Sequence, residues 1–169
     1  MMNGQNSLRP LAEAPVQAWL NDRFQVADIL RSVLMETGPA DVRISSFSIS
    51  EEFLRRLLFI RREGLIRSLG IVLDFKATHK TLKLWPFIAQ TVDSCYLADN
   101  HSKIILVRNG RMKVAVVTSQ NLTRGNRNES GIVTTDPAVV DGLDARFSDL
   151  VNNKSVLFHD VYSRTIGEN

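Results

Sequence analysis

Residues Gly70 to Lys76 read GIVLDFK, a near-continuous apolar run of strand length. A strand with one face in water alternates apolar and polar residues. A run that is apolar on both faces is the pattern of a strand inside a parallel sheet, covered on either side. Parallel strands require long crossover connections, usually helical. The run therefore commits the chain to alternating strands and helices in stacked layers.

The rest of the chain supplies those layers. A helix is predicted from about Asp22, with Val26, Ile29, Leu30 and Val33 at helical spacing and a stop at Thr37-Gly38-Pro39. Asp41 to Ser48 reads as a strand. Ser50 suits the N-cap of a second helix running to about Ser68, with Phe53, Leu54, Leu57, Leu58 and Leu65 inward and Gly70 closing it. A weaker helix is expected over Leu82 to Val92, which contains Pro86. A short strand starts at Tyr96. Lys103 to Arg108 and Lys113 to Thr118 form a hairpin around Asn109-Gly110, and Ser130 to Thr135 is a further strand. Asp136-Pro137 caps and starts a last helix with Val140, Leu143, Phe147 and Leu150 inward. A final short strand is expected at Val156 to Phe158. Phe47, Phe53 and Phe75 read as core. The expected fold class is α/β, a mixed sheet with helices on both faces, forming one domain over residues 22–169 after a loose arm over residues 1–21.

Composition excludes several classes. The 169 residues are 44% hydrophobic and 23% charged, ordinary for a globular domain, with a net charge of +3 that suits a polyanionic partner. The single cysteine, Cys95, implies neither a disulfide framework nor a structural zinc site. No secretory signal is visible at the start, and no stretch approaches the ~20 apolar residues of a membrane span. The expected location is cytoplasmic, without stable membrane association. The arginines Arg55, Arg56, Arg61, Arg62 and Arg67 read as a solvated helix face, and His79 and His159 as structural or exposed.

Chemistry concentrates in NHSKIILVRNGRMKVAVVTSQNLTRGNRNES, from Asn100 to Ser130. Residues two apart on a strand share a face, so His101 and Lys103 project together, and Ser119 and Asn121 do likewise if extended geometry persists. An imidazole can attack phosphorus. Lysine, serine and asparagine donate to non-bridging phosphate oxygens, and Glu129 can orient the imidazole through its other nitrogen. The set is rich in donors and poor in carboxylates, which favours an anionic substrate over a divalent metal. Register decides which residues meet. A two-residue loop at Asn109-Gly110 sets His101 across from Thr118 and puts Ser119 on the opposite face; an odd-length loop or a bulge sets His101 across from Ser119. Bringing His101 and Ser119 together on one face predicts the odd loop.

The pair HSK, the apolar hairpin and TSQNLTRGNRNE together resemble the HxK…(G)SxN…E signature of the phospholipase D superfamily. His101 and Lys103 match the HxK pair, Ser119 and Asn121 the SxN element, and Glu129 the acid; Leu122, Thr123 and Gly125 fit the usual continuation. Two positions depart from it. Arg108 stands five residues after the lysine, where the family often has an acid, with Asn109 next to it, and Thr118 replaces the usual glycine before the serine.

The resemblance implies a phospholipase D-like half-domain. It also implies phosphodiester cleavage without metal or other cofactor, through a covalent phosphohistidine, with catalytic roles for His101, Lys103, Ser119, Asn121 and Glu129. That mechanism uses two HxK pairs, and this chain has one, so the resemblance further implies a homodimer with the site at the two-fold interface. Arg124 and Arg127, beside the motif, are candidates for substrate phosphates, as is Thr118. Nucleic acid is the expected substrate. The alternatives are a phospholipid head group and a catalytically weak binding or regulatory module of the same fold.

Overall fold

The computed structural model describes residues 7–167. Its strands are β1 (Val16–Asn21), β2 (Ala40–Ser45), β3 (Ile66–Asp74), β4 (Ser94–Ala98), β5 (Ile104–Arg108), β6 (Lys113–Thr118), β7 (Glu129–Thr134) and β8 (Ser155–Leu157). They form one mixed sheet in the order β1-β7-β6-β5-β2-β3-β4-β8. Only β2, β3 and β4 run parallel; the other pairings are antiparallel. Val72, in the GIVLDFK run, packs on one side of the sheet, while its neighbours Ile71 and Leu73 pack on the other; all three are fully buried.

Helices cover both faces. On one face the side chains of α1 (Val26–Thr37), α2 (Glu51–Arg62), α4 (Trp85–Thr91) and α6 (Phe158–Gly167) join Ile44, Leu69, Ile105 and Val116 in the main core. On the other, α5 (Pro137–Lys154) sets Val140 and Phe147 against Val72, Leu106 and Ala115. A 3-10 turn (Phe75–Ala77) and the short α3 (Thr78–Leu82) link β3 to α4. Ser50 caps α2, its side chain accepting the amide of Phe53 at 3.2 Å. Asp136 caps α5, accepting the amides of Ala138 and Val139, with Pro137 in the first turn.

Four expectations need correction. The second helix ends at Arg62, not Ser68. Gly64 takes φ 77°, a conformation that glycine adopts at little cost, and the chain then enters β3 at Ile66. The arm expected over residues 1–21 contains β1, which pairs with β7 from Val16↔Thr134 to Asn21↔Glu129, and Leu11 is buried in the core. Prolines on its N-terminal side, Pro10 and Pro15, hide a strand whose pairing partner lies over a hundred residues away. Phe75 is 44% exposed and Phe47 is half-buried, so of the three phenylalanines only Phe53 is core. Finally, α6 follows β8 and brings the buried Phe158 onto Trp85, ring centroids 4.8 Å apart.

Candidate active site

The parallel strands β2, β3 and β4 end at the same rim of the sheet where β5 and β7 begin and β6 ends. His101 and Lys103 lie in the β4–β5 connection, Ser119 and Asn121 just after β6, and Glu129 at the first position of β7. The topology thus brings all five to one rim. They reach it by a different register from either considered above. β5 pairs with β6 from Ile104↔Val117 to Arg108↔Lys113 around a four-residue loop, Asn109 to Met112. The odd loop is therefore absent, and Lys103 rather than His101 neighbours Thr118, whose amide donates to the Lys103 carbonyl at 3.1 Å. Regular strand ends at Thr118, so the face alternation does not extend to Ser119.

The side chains form two subsets. Lys103 Nζ donates to the carbonyl of His101 at 3.0 Å and lies 3.4 Å from its Nδ1, which keeps ammonium and imidazole together. The His101 ring is exposed and rests against Phe47, centroids 5.3 Å apart. Ser119 Oγ donates to the Glu129 carboxylate and accepts the amide of Ser130 at 3.0 Å. Glu129 therefore bonds Ser119, not the imidazole. The antiparallel β6–β7 pairing continues one residue past Thr118, where the Ser119 amide donates to the Ser130 carbonyl at 2.9 Å; the Ser119–Glu129 contact is diagonal to that pair.

Beneath them lies a buried polar hub that the motif does not contain. Asp74 closes β3 and is 2% exposed; its Oδ1 accepts the amide of Lys76 at 2.6 Å and its Oδ2 that of Asn100 at 2.8 Å. The Asn100 side chain donates to the Ser46 carbonyl at 3.1 Å and accepts from the amide and hydroxyl of Ser102. Ser46, fully buried, donates to the Ser48 carbonyl at 2.8 Å, lies 3.4 Å from Asn121 Oδ1 and accepts the amide of Leu122 at 3.1 Å. Leu122 is held from its other side by the Ser50 amide, 2.9 Å from the Leu122 carbonyl. The hub fixes the backbone on which His101 and Asn121 stand. Its sequence signals are an acid ending an apolar run and an asparagine directly before the histidine.

The remaining candidates divide. Thr118 Oγ1 donates to the Ser130 carbonyl and accepts the Gln120 amide, a turn role. Arg124 pairs with Glu52 at 3.1 Å, both largely exposed. Arg127 is exposed and has no ion-pair partner among the described residues. Arg108 donates to Asp144 at 2.7 Å, while Asn109 ties the hairpin loop to the end of α1 through the carbonyls of Thr37 and Pro39. On the α2 face, Arg55, Arg56 and Arg61 pair with Glu51, Asp28 and Asp93, and Arg67, at the start of β3, pairs with Asp41. His159 packs beside Trp85. A hollow of about 410 Å³ lies across the sheet from the main core, beside α5. It is lined by Arg43, Gly70, Tyr96 and Phe147, and Arg43 there is committed to Asp144 and Ser148.

No protein-family model matches the sequence, and no curated protein matches it. Solved structures do match. NucT from Helicobacter pylori superposes with a TM-score of 0.62 at 15% identity, over 82% of this chain and 96% of that one. Polyphosphate kinase from Porphyromonas gingivalis gives 0.61 at 14%, over 83% and 28%. Phosphatidylserine synthase from Haemophilus influenzae gives 0.61 at 9%, over 85% and 40%. The fold these structures share with the chain is the phospholipase D-like fold.

Proposed function

We propose that the chain is a phosphodiesterase that cleaves nucleic acid without a metal ion, as a homodimer whose two His101 side chains share one site. The observation that carries this reading is the delivery of His101, Lys103, Ser119, Asn121 and Glu129 to one rim of a phospholipase D-like sheet. In the proposed reaction one His101 attacks phosphorus, forming an N–P bond as the P–O bond to the leaving group breaks. The partner protomer's copy of the same histidine gives that oxygen its proton. Water then attacks phosphorus, its proton passing to that second histidine, and the N–P bond breaks. Lys103 and Asn121 supply donors for the non-bridging oxygens. The net charge of +3 suits this polyanionic substrate class.

Dimerisation draws support from an exposed apolar strip. Ala18, Ile132 and Val117 pair across β1, β7 and β6, with Ile132 49% and Val117 44% exposed, and Leu20, 74% exposed, lies next to them on β1. Contiguous exposed apolar surface of this kind marks an interaction site, and the strip runs up to Ser119.

The test is cleavage of DNA and of bis(p-nitrophenyl) phosphate in the presence of a chelator, with wild type and His101→Ala. Activity that survives the chelator and vanishes in the variant is expected; metal-dependent cleavage indifferent to the substitution overturns the mechanism. Static light scattering of the active protein is expected to give the mass of two chains. A second reading, a DNA-binding module without turnover, draws on fold likeness to TrmBL2, an archaeal chromatin protein described as binding DNA (TM-score 0.57, 11% identity, over 83% of this chain and 53% of that one). Turnover by the wild type removes it.

A further inference from the structure

The Asp74 carboxylate holds two backbone amides at once, that of Asn100, next to His101, and that of Lys76. The segment from Lys76 to Lys83 is therefore anchored at the same rim as His101. It carries Lys76, His79, Lys80 and Lys83, all exposed, and none of these lysines has an ion-pair partner among the described residues. Lys80 and Lys83 are one helical turn apart, at the end of α3. The nearest acid in sequence on the adjoining connection, Asp99, is exposed and does not pair with them. By contrast Arg55, Arg56, Arg61, Arg67 and Arg108 are each matched to a carboxylate, at Glu51, Asp28, Asp93, Asp41 and Asp144. Three lysines left unmatched on one short segment beside a candidate site form an electrostatic feature that the fold itself does not use.

Position gives the feature a direction. In the sheet order, β6 and β7 lead to the connection bearing Arg124 and Arg127, while β3 leads to the lysine segment. The β4–β5 connection bearing His101 crosses β3 and β2 to reach β5, and its Asn100 is tied to Ser46, directly after β2. From β6 to β3 is three strand spacings, about 14 Å, which matches about four nucleotides of axial rise along one DNA strand. A small diester or a single head group cannot reach both flanks; a polyanionic strand laid across the rim can.

We propose that the lysine segment, Lys76 with Lys80 and Lys83, is a second phosphate-binding flank, and that the substrate is a nucleic-acid strand lying across the strand ends, with its scissile phosphate at His101 and neighbouring phosphates on the lysines on one side and on Arg127 on the other. This rests on the phosphodiesterase reading for the position of the scissile phosphate, but the flank is tested by binding alone.

The experiment uses the full chain with His101→Asn, so that the probe is not consumed, and follows the anisotropy of a labelled single-stranded DNA 20-mer against sodium chloride. Combining Lys76→Ala, Lys80→Ala and Lys83→Ala is expected to lower affinity at least tenfold at low salt and to reduce the slope of log K against log salt by about 2, the loss of three phosphate contacts on single-stranded nucleic acid. Lys→Gln replacements at the same positions are expected to do the same. A control pair, Arg111→Ala with Lys113→Ala, lies at the opposite rim and is expected to change the slope by less than half as much. With His101 restored, the control pair is expected to hydrolyse bis(p-nitrophenyl) phosphate at the wild-type rate. An unchanged slope and affinity overturn the flank even if the enzyme reading stands. Absence of diester hydrolysis in wild type overturns the enzyme reading and leaves the flank to the binding arm. If the substitutions abolish binding to phosphatidylglycerol vesicles and leave DNA binding intact, the partner is a lipid surface and the proposal fails.

Discussion

The Asp74 carboxylate accepts the Asn100 amide at 2.8 Å, and both residues are buried. Twenty-six residues separate them, and the bond fixes the chain one position before the candidate nucleophile. Replacing Asp74 with Ala leaves the amides of Asn100 and Lys76 without their acceptor. A loss of about 2–4 kcal/mol is expected from two such groups, read from the midpoint of urea denaturation. Phosphodiesterase activity is expected to fall further than the unfolded fraction explains, because His101 loses its fixed backbone.

Ile132 stands at the centre of the exposed apolar strip. Ile132→Glu is expected to leave the monomer folded, since the side chain is half in solvent, and to halve the mass found by light scattering. Activity is expected to fall with the dimer fraction. A fully active monomer would remove the shared site.

Gly131 faces Trp19 across β1 and β7, and a methyl group there would sit inside the indole ring. Gly131→Ala is expected to displace Trp19 and cost about 1–3 kcal/mol. In a Trp85→Phe background, red-shifted tryptophan emission reports the displacement; an unshifted spectrum would mean that the sheet absorbs the methyl by sliding instead.

Burial pushes the Asp93 carboxyl up, but a hydrogen bond from Arg61, the amide of Leu69 at 2.7 Å and the Arg61 charge together hold it below the usual carboxylate range. A depressed folded value means stability that is present above the unfolded value near 4 and is lost as pH falls through the folded one. Thermal melts of wild type and Asp93→Asn are expected to differ most above about pH 5 and to converge toward pH 2.5. The side chain is 47% exposed, so the effect is small and screened by salt.

Burial pushes the Cys95 thiol up to about 12, against a weaker lowering by the Tyr96 backbone amide. At pH 8 it is neutral and enclosed, 3% exposed. A maleimide is expected to label the protein only in denaturant; rapid labelling of the native protein would show that β4 opens readily.

The features legible in the sequence were those that depend on local pattern. GIVLDFK announced a covered parallel strand, Ser50 and Asp136 announced their helices, and the HxK and SxN pairs with the acid after them singled out five residues that the fold delivers to one rim. What the sequence concealed depends on distant partners. Nothing near Val16 announces β7, and Ser46 looks like any serine until Leu122 and Asn121 arrive beside it. The length of the hairpin loop was hidden because Asn109 uses its side chain to accept the amides of Arg111 and Met112. That widens the loop to four residues, although Asn-Gly alone suggests two.

That hairpin has a consequence for the order of assembly. The His101 and Ser119 segments are separated by a single turn and can approach early, as a local event on the microsecond scale of hairpin closure. Ser46 and Asp74 join only when the parallel strands β2 and β3 dock, which is a slower, non-local step. A nascent or partly folded chain can therefore carry a paired HxK–SxN hairpin while lacking the hub beneath it. Catalytic competence would then lag behind hairpin formation and report completion of the central sheet.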